Sequence, residues 1–119
     1  MNHVFYSDGT STRISWIIQT EDSTVEQGRE HIEIYRDKIT DLQSKYVALH
    51  VGLFWGIGVF IIKNEDTVKI KIDDKTMFEQ ITKGMAADEF IQKRIKFIKQ
   101  LITQRKLKIK YELVQKEIR

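Results

Sequence analysis

The sequence contains no cysteine, which removes disulfides, thiolate metal sites and thiol nucleophiles at once. Proline is absent too, and no internal repeat, linker or low-complexity segment interrupts the chain. Its 119 residues therefore read as one domain, residues 1–119, long enough for a single modest core. The first residues lack a basic segment followed by an apolar one, so no secretory leader is expected and the cytoplasm is the expected compartment. A membrane-spanning run is also missing. Val47 to Ile62 holds only His50 as a polar residue, but those sixteen residues include three glycines and fall short of the roughly 20 needed to span a bilayer. A helix buried on most sides, running on toward a strand, accounts for the run, and no membrane partner is expected. No Ser-His-Asp arrangement, phosphate loop or metal-binding helix pair is readable.

What is present is an ordinary globular composition, 41% hydrophobic and 31% charged. Its charge is unevenly divided. Residues 93–119 hold ten of the 20 Lys/Arg and two of the 17 Asp/Glu, a net of +8 against −5 for the rest. A basic end of this kind suits an anionic partner such as nucleic acid, with Lys93, Lys96, Lys99, Arg105, Lys106 and Lys108 as the contacting residues. A solvated lysine face on a helix would read the same way.

Taken in order, Val4–Tyr6 reads as a first strand, Asp8–Thr12 as its turn and Arg13–Gln19 as a hairpin partner. After a turn at Glu21-Asp22-Ser23, the alternation in Glu30–Arg36 predicts a half-solvated third strand at the sheet edge. Thr40 or Asp41 can cap a helix whose Leu42, Tyr46, Leu49 and Leu53 recur at helical spacing. Val68–Ile72 is the next strand, Lys75–Thr82 a short helix ending at Gly84, and Asp88 opens a long helix with Ile91, Ile95, Ile98 and Ile102 in one stripe. Leu107–Val114 alternates again as a fifth strand.

Two strands in this reading end in carboxylates: Val4–Tyr6 runs to Asp8, and Val68–Ile72 to Asp73-Asp74. A strand reached through a helix normally lies parallel to an earlier one, which brings Asp8 and Asp73 to one sheet edge, where open α/β sheets place their chemistry. Asp74 can join them or cap the helix behind it. In the long helix Ala48, Gly52 and Gly56 recur every fourth residue, a smooth stripe suited to close packing on the sheet, and Lys45 shares that face.

This order of elements resembles the ribonuclease H family, and local wording supports the resemblance over nearly the whole chain. Tyr6-Ser7-Asp8-Gly9-Thr10 looks like the family's opening aspartate motif. Tyr46-Val47-Ala48-Leu49-His50-Val51-Gly52-Leu53 looks like its first-helix motif. Ile70-Lys71-Ile72-Asp73-Asp74-Lys75, continuing to Glu79-Gln80-Ile81, looks like its second aspartate strand and the helix behind it. Tyr111-Glu112-Leu113-Val114-Gln115-Lys116-Glu117 looks like the last strand and closing segment.

The resemblance implies an α/β ribonuclease H-like fold: a five-stranded mixed sheet, three antiparallel strands then two parallel, with helices on both faces. It also implies Mg²⁺-dependent cleavage of RNA in RNA–DNA hybrids, with two ions held by about four carboxylates. Mg²⁺ prefers such hard oxygen ligands, and paired ions stabilise both the attacking water and the leaving oxygen. Asp8 and Asp73 match the first and third carboxylate positions. At the second position the family's glutamate falls on Lys45, and the fourth lies beyond the last strand, past Arg119. Glu117 matches a glutamate that is not the usual ligand, and Asp41 and Leu42 stand where the family's hybrid-reading asparagines would be. The loop after Asp8 is shorter and less glycine-rich than the family's.

An ammonium at position 45 would pair with Asp8 and Asp73 and take the place of the ion, unless its flexible stem bends out to solvent. Three functions follow. The first is a member without hydrolysis that serves as a nucleic-acid-binding or assembly module and needs no metal. The second is an active hybrid nuclease, with Asp8 and Asp73 helped by Asp74 or by a partner's carboxylate on Mg²⁺. The third is a structural homo-oligomer, such as a homodimer, that uses its open final edge strand and never touches nucleic acid. His50 reads as a satisfied core histidine, His31 as an exposed strand residue, and Trp16, Phe54 and Trp55 as core.

Overall fold

A computed structural model describes residues 1–115, and Glu117 lies outside that range. The chain opens with an antiparallel meander, β1 (Asn2–Gly9), β2 (Arg13–Thr20) and β3 (Ser23–Glu30). Alternation in β1 and β2 turns Phe5, Ile14, Trp16 and Ile18 to one face, where all are buried. β3 has no such pattern. Its single aliphatic is Val25, and its register is fixed by the tight turn at Glu21 (φ 50°), which pairs Thr20 with Ser23 and carries the ladder to Arg13 and Glu30. The third strand is therefore not Glu30–Arg36, as the alternation suggested. Residues 33–39 are turns, in which Ile34 points to solvent, as Ile32 does just before them.

Helix α1 (Asp41–Gly58) starts at a capping box: the Thr40 hydroxyl accepts from the Gln43 N–H at 3.1 Å, and the Gln43 side chain accepts from the Thr40 N–H at 2.9 Å. Its small-residue stripe meets the sheet. A Cβ on Gly52 would stand 2.7 Å from the Phe5 ring and 2.8 Å from the Trp16 side chain, so only glycine allows the helix this close. Trp55 packs on Trp16, whereas Phe54, expected in the core, projects to solvent at 62% exposure because it lies on the far side of the helix.

β4 (Thr67–Ile72) then lies parallel to β1, and β5 (Lys108–Leu113) parallel to β4, giving the sheet order β3-β2-β1-β4-β5. Between them run α2 (Lys75–Lys83), capped by Asp74 and closed by Gly84 in the left-handed region (φ 76°), and α3 (Glu89–Arg105), capped by Asp88. Buried Met77, Ile81, Ile91, Ile95 and Ile98 join the same core as Phe5 and Ile70. The Tyr46 hydroxyl of α1 reaches across to the Met77 carbonyl (3.2 Å) and Gln80 (3.0 Å) of α2. All three helices thus cover one face. The opposite face carries no helix among the described residues. No described helix is long and apolar enough to cross a membrane.

A buried polar cluster pins the start of β1 to the turn before β4. His3 Nε2 lies 2.8 Å from Asp66 Oδ2 and its Nδ1 lies 2.6 Å from the Thr20 hydroxyl. Asp66 also accepts from the Lys63 N–H at 2.8 Å and the Met1 ammonium at 3.2 Å. Burial works to raise the Asp66 pKa, yet these hydrogen bonds and the ammonium charge outweigh it and hold the carboxyl down at about 2.

Candidate functional site

Strand register places the first two candidate residues together. Tyr6 of β1 is the Cα partner of Lys71 of β4, so two residues further on Asp8 stands across from Asp73 at the carboxyl edge. α1 crosses above this edge, and its close approach on the Gly52 stripe sends the Lys45 side chain down between the carboxylates. Lys45 Nζ donates to Asp73 Oδ1 at 2.8 Å and lies 3.8 Å from Asp8 Oδ1, with only 12% of the side chain exposed. Asp8 Oδ1 also accepts from the Gly9 N–H at 2.9 Å.

Burial alone would lower the Lys45 pKa, but the Asp73 hydrogen bond and the charges of Asp73, Asp8 and Asp74 reverse the sign and hold it above its ordinary value. Unit charges ~4 Å apart attract by roughly 4 kcal/mol at an effective dielectric near 20, before desolvation is subtracted. The Asp73 contact carries most of this attraction, because Asp8 is 45% exposed and its share is screened by solvent. Asp74 takes no part in the pairing. Its Oδ1 accepts from the Met77 N–H at 2.9 Å, so it caps α2.

This donor set does not suit a pair of magnesium ions. Two carboxylates remain, and both already face the Lys45 ammonium. Among the described residues no three His, Asp or Glu side chains are grouped so as to hold a metal.

The basic candidates do not form one surface. Lys93, Lys96 and Lys99 are exposed on α3, where Lys96 and Lys99 border a shallow cleft of about 420 Å³ beside Gly84 and Thr103. Arg105 ends that helix, and Lys106 turns the chain in the left-handed region (φ 54°). Lys108 lies on the other side of the sheet, on the helix-free face. Lys110 shares that face, and so do Lys69 and Lys71, which sequence reasoning passed over although the alternation in β4 marks them. Lys71 donates to Glu112 at 2.6 Å and Lys69 Nζ lies 3.7 Å from the same carboxylate, whose pKa the Lys71 hydrogen bond lowers.

His31 corrects another expectation. It is 4% exposed, because β3 ends one residue earlier and turns the ring inward, with Nε2 2.7 Å from Ser44 Oγ and 3.1 Å from the Thr10 carbonyl. On the outer side of α1, His50 stacks on Phe97, and its Nδ1 accepts from Arg94 at 2.9 Å. Arg94 also donates to the Tyr35 hydroxyl at 2.7 Å and lies over the Phe90 ring.

No protein-family model and no curated protein sequence matches the chain. Solved structures do. Ribonuclease H1 from the halophilic archaeon Halobacterium salinarum NRC-1 aligns with a TM-score of 0.74 at 19% identity, over 95% of this chain and 86% of that one. The N-terminal RNase H domain of a Mycobacterium tuberculosis protein, solved as a fusion, gives 0.73 at 21% identity, over 98% of this chain and 88% of that one. LC11-RNase H1, solved in complex with an RNA/DNA hybrid, gives 0.66 at 17% identity, over 93% and 85%. The fold is ribonuclease H-like.

Proposed function

We propose that this ribonuclease H-like domain is a nucleic-acid-binding or assembly module in which an internal ion pair replaces two-metal hydrolysis. The observation that carries this reading is the Lys45 ammonium, 2.8 Å from Asp73 and 3.8 Å from Asp8, between two carboxylates at the carboxyl edge of the sheet. A neighbour of the same fold solved on an RNA/DNA hybrid supports a nucleic-acid partner. So does the excess of exposed lysines on α3 and β5, whose phosphate contacts would make affinity fall steeply with salt.

Incubation with a labelled RNA–DNA hybrid in Mg²⁺ and in Mn²⁺, alongside Asp8→Asn, tests the loss of hydrolysis. No cleavage above background is expected from either protein. Robust cleavage that Asp8→Asn abolishes would overturn the proposal. Gel shifts with hybrid, duplex and single strands at several salt concentrations test the binding half, and no shift with any of them at low salt would sink it.

A further inference from the structure

The helix-free sheet face can be read row by row from the strand register, since its side chains alternate with the core residues. In the middle row Ile17, Tyr6 and Lys71 are Cα partners, flanked by Glu26 on β3 and Glu112 on β5. Toward the amino ends of β1 and β4, Val4, Lys69 and Lys110 form the next row, and Lys108 stands beside Thr67 beyond it. Toward the carboxyl ends lie Ser15, Asp8 and Asp73. The face therefore grades from carboxylates, through a middle row with Ile17 and Tyr6 at its centre and charged residues on either side, to lysines. On the β4–β5 side Glu112 pairs with Lys71 and Lys69, while Lys108 and Lys110 add two further positive charges beside them.

Over the middle row and the carboxyl-end row opens a cavity of about 560 Å³ whose lining includes Tyr6, Ile17, Glu26 and Lys71 and, at its far end, Asp8 and Asp73. That volume lies in the usual range for small-ligand sites and admits one nucleotide. Resting on the nucleic-acid reading above, we propose that this face binds an unpaired strand, with one base in the cavity against Tyr6 and the adjoining phosphates over Lys69, Lys108 and Lys110. Tyr6 is partly exposed, and every base offers a π-face to an aromatic ring. Lys108 and Lys110 lie two residues apart on β5, ~6.6 Å, and Lys69 is one strand away, ~4.8 Å, so a backbone crossing the sheet meets a lysine repeatedly. Paired bases hide the faces that Tyr6 needs, so the site favours single strands over duplex.

The test measures fluorescence anisotropy of the full chain with a labelled oligouridine and with a duplex of equal length, at 50 and 200 mM salt. The expected result is tighter binding of the single strand. One stacked base contributes ~1–3 kcal/mol, so Tyr6→Leu should cut the single-strand preference roughly 5- to 150-fold. Lys108→Glu with Lys110→Glu should lower single-strand affinity and flatten its salt dependence, which keeps the test open if Tyr6→Leu misfolds. Charge reversal at Lys93, Lys96 and Lys99 should weaken single strand and duplex alike and preserve their ratio. A preference for duplex, or a preference that neither Tyr6→Leu nor the β5 pair changes, overturns the sheet-face site while nucleic-acid binding stands. A dimer in sedimentation that the β5 pair dissociates also overturns it, by showing that a second copy covers the face. No binding of either probe at 50 mM salt overturns the sheet-face site together with the binding half of the function proposed above.

Discussion

His31 Nε2 lies 2.7 Å from Ser44 Oγ, tying the segment after β3 to the first turn of α1. The same nitrogen meets the Thr10 carbonyl at 3.1 Å, and a carbonyl can only accept, so the ring carries its proton there. Thus the β1–β2 turn, the end of β3 and the residue before Lys45 are held by one imidazole. Ser44→Ala should cost about 1 kcal/mol by removing a buried partner, read by urea unfolding. Gly9→Ala should cost more, because its Cβ would stand 2.5 Å from the Ser44 backbone carbon. An unchanged midpoint for Gly9→Ala would show that α1 is free to shift.

Lys45→Glu tests the ion pair directly. The substitution puts a third carboxylate beside Asp8 and Asp73, so the metal-free protein should lose stability through like-charge repulsion. Added Mg²⁺ should bind by calorimetry and raise Tm, while the parent protein shows neither effect. A Lys45→Glu protein that is as stable as the parent and indifferent to Mg²⁺ would place Lys45 away from the aspartates.

His50 gives a pH dependence of known sign. Burial lowers its pKa, and the Arg94 guanidinium lowers it further. The unfolded chain then binds a proton that the folded one refuses, so this contribution is fully present above the unfolded value near 6.5 and is lost as pH falls below it. Thermal scans from pH 8 to pH 5 should show Tm dropping below pH 6.5, and His50→Gln should flatten that drop. Equal slopes in the two proteins would remove His50 as the cause.

At Gly52 two effects oppose each other. Alanine is the better helix former by ~1 kcal/mol, but its methyl would press on Phe5 and Trp16 at under 3 Å. Overpacking costs of ~1–3 kcal/mol win, so Gly52→Ala should be net destabilising and should lift Lys45 from its carboxylates. Chemical denaturation together with the Lys45 Nζ chemical shift would register both.

Most of this architecture was legible because its elements carry their own signals. The glycine stripe of α1, the aspartates closing β1 and preceding α2, and the isoleucine stripe of α3 each follow from local spacing. β3 was not legible, since its place comes from a hairpin partner and not from its own side chains. Ile32 and Ile34 misled for the complementary reason: they alternate like a strand but have no neighbour to pair with. At the site, the facing of Lys45 could be read from Ala48 and Gly52. The inward turn of His31 could not, because it depends on where β3 stops. Lys69, Lys71 and Lys110 were visible as alternation, but their surface emerges only when β4 and β5 lie side by side.

The sheet order also sets an order of assembly. β1, β2 and β3 pair through turns of a few residues, whereas β1 must find β4 across more than sixty. Closing the long loop costs entropy before any contact returns it, so the amino-terminal meander is expected to form early and the β1–β4 seam late. Asp8 and Asp73 stand on either side of that seam. Their shared ammonium is therefore among the last contacts made, and substitutions there should speed unfolding and leave the folding rate nearly unchanged.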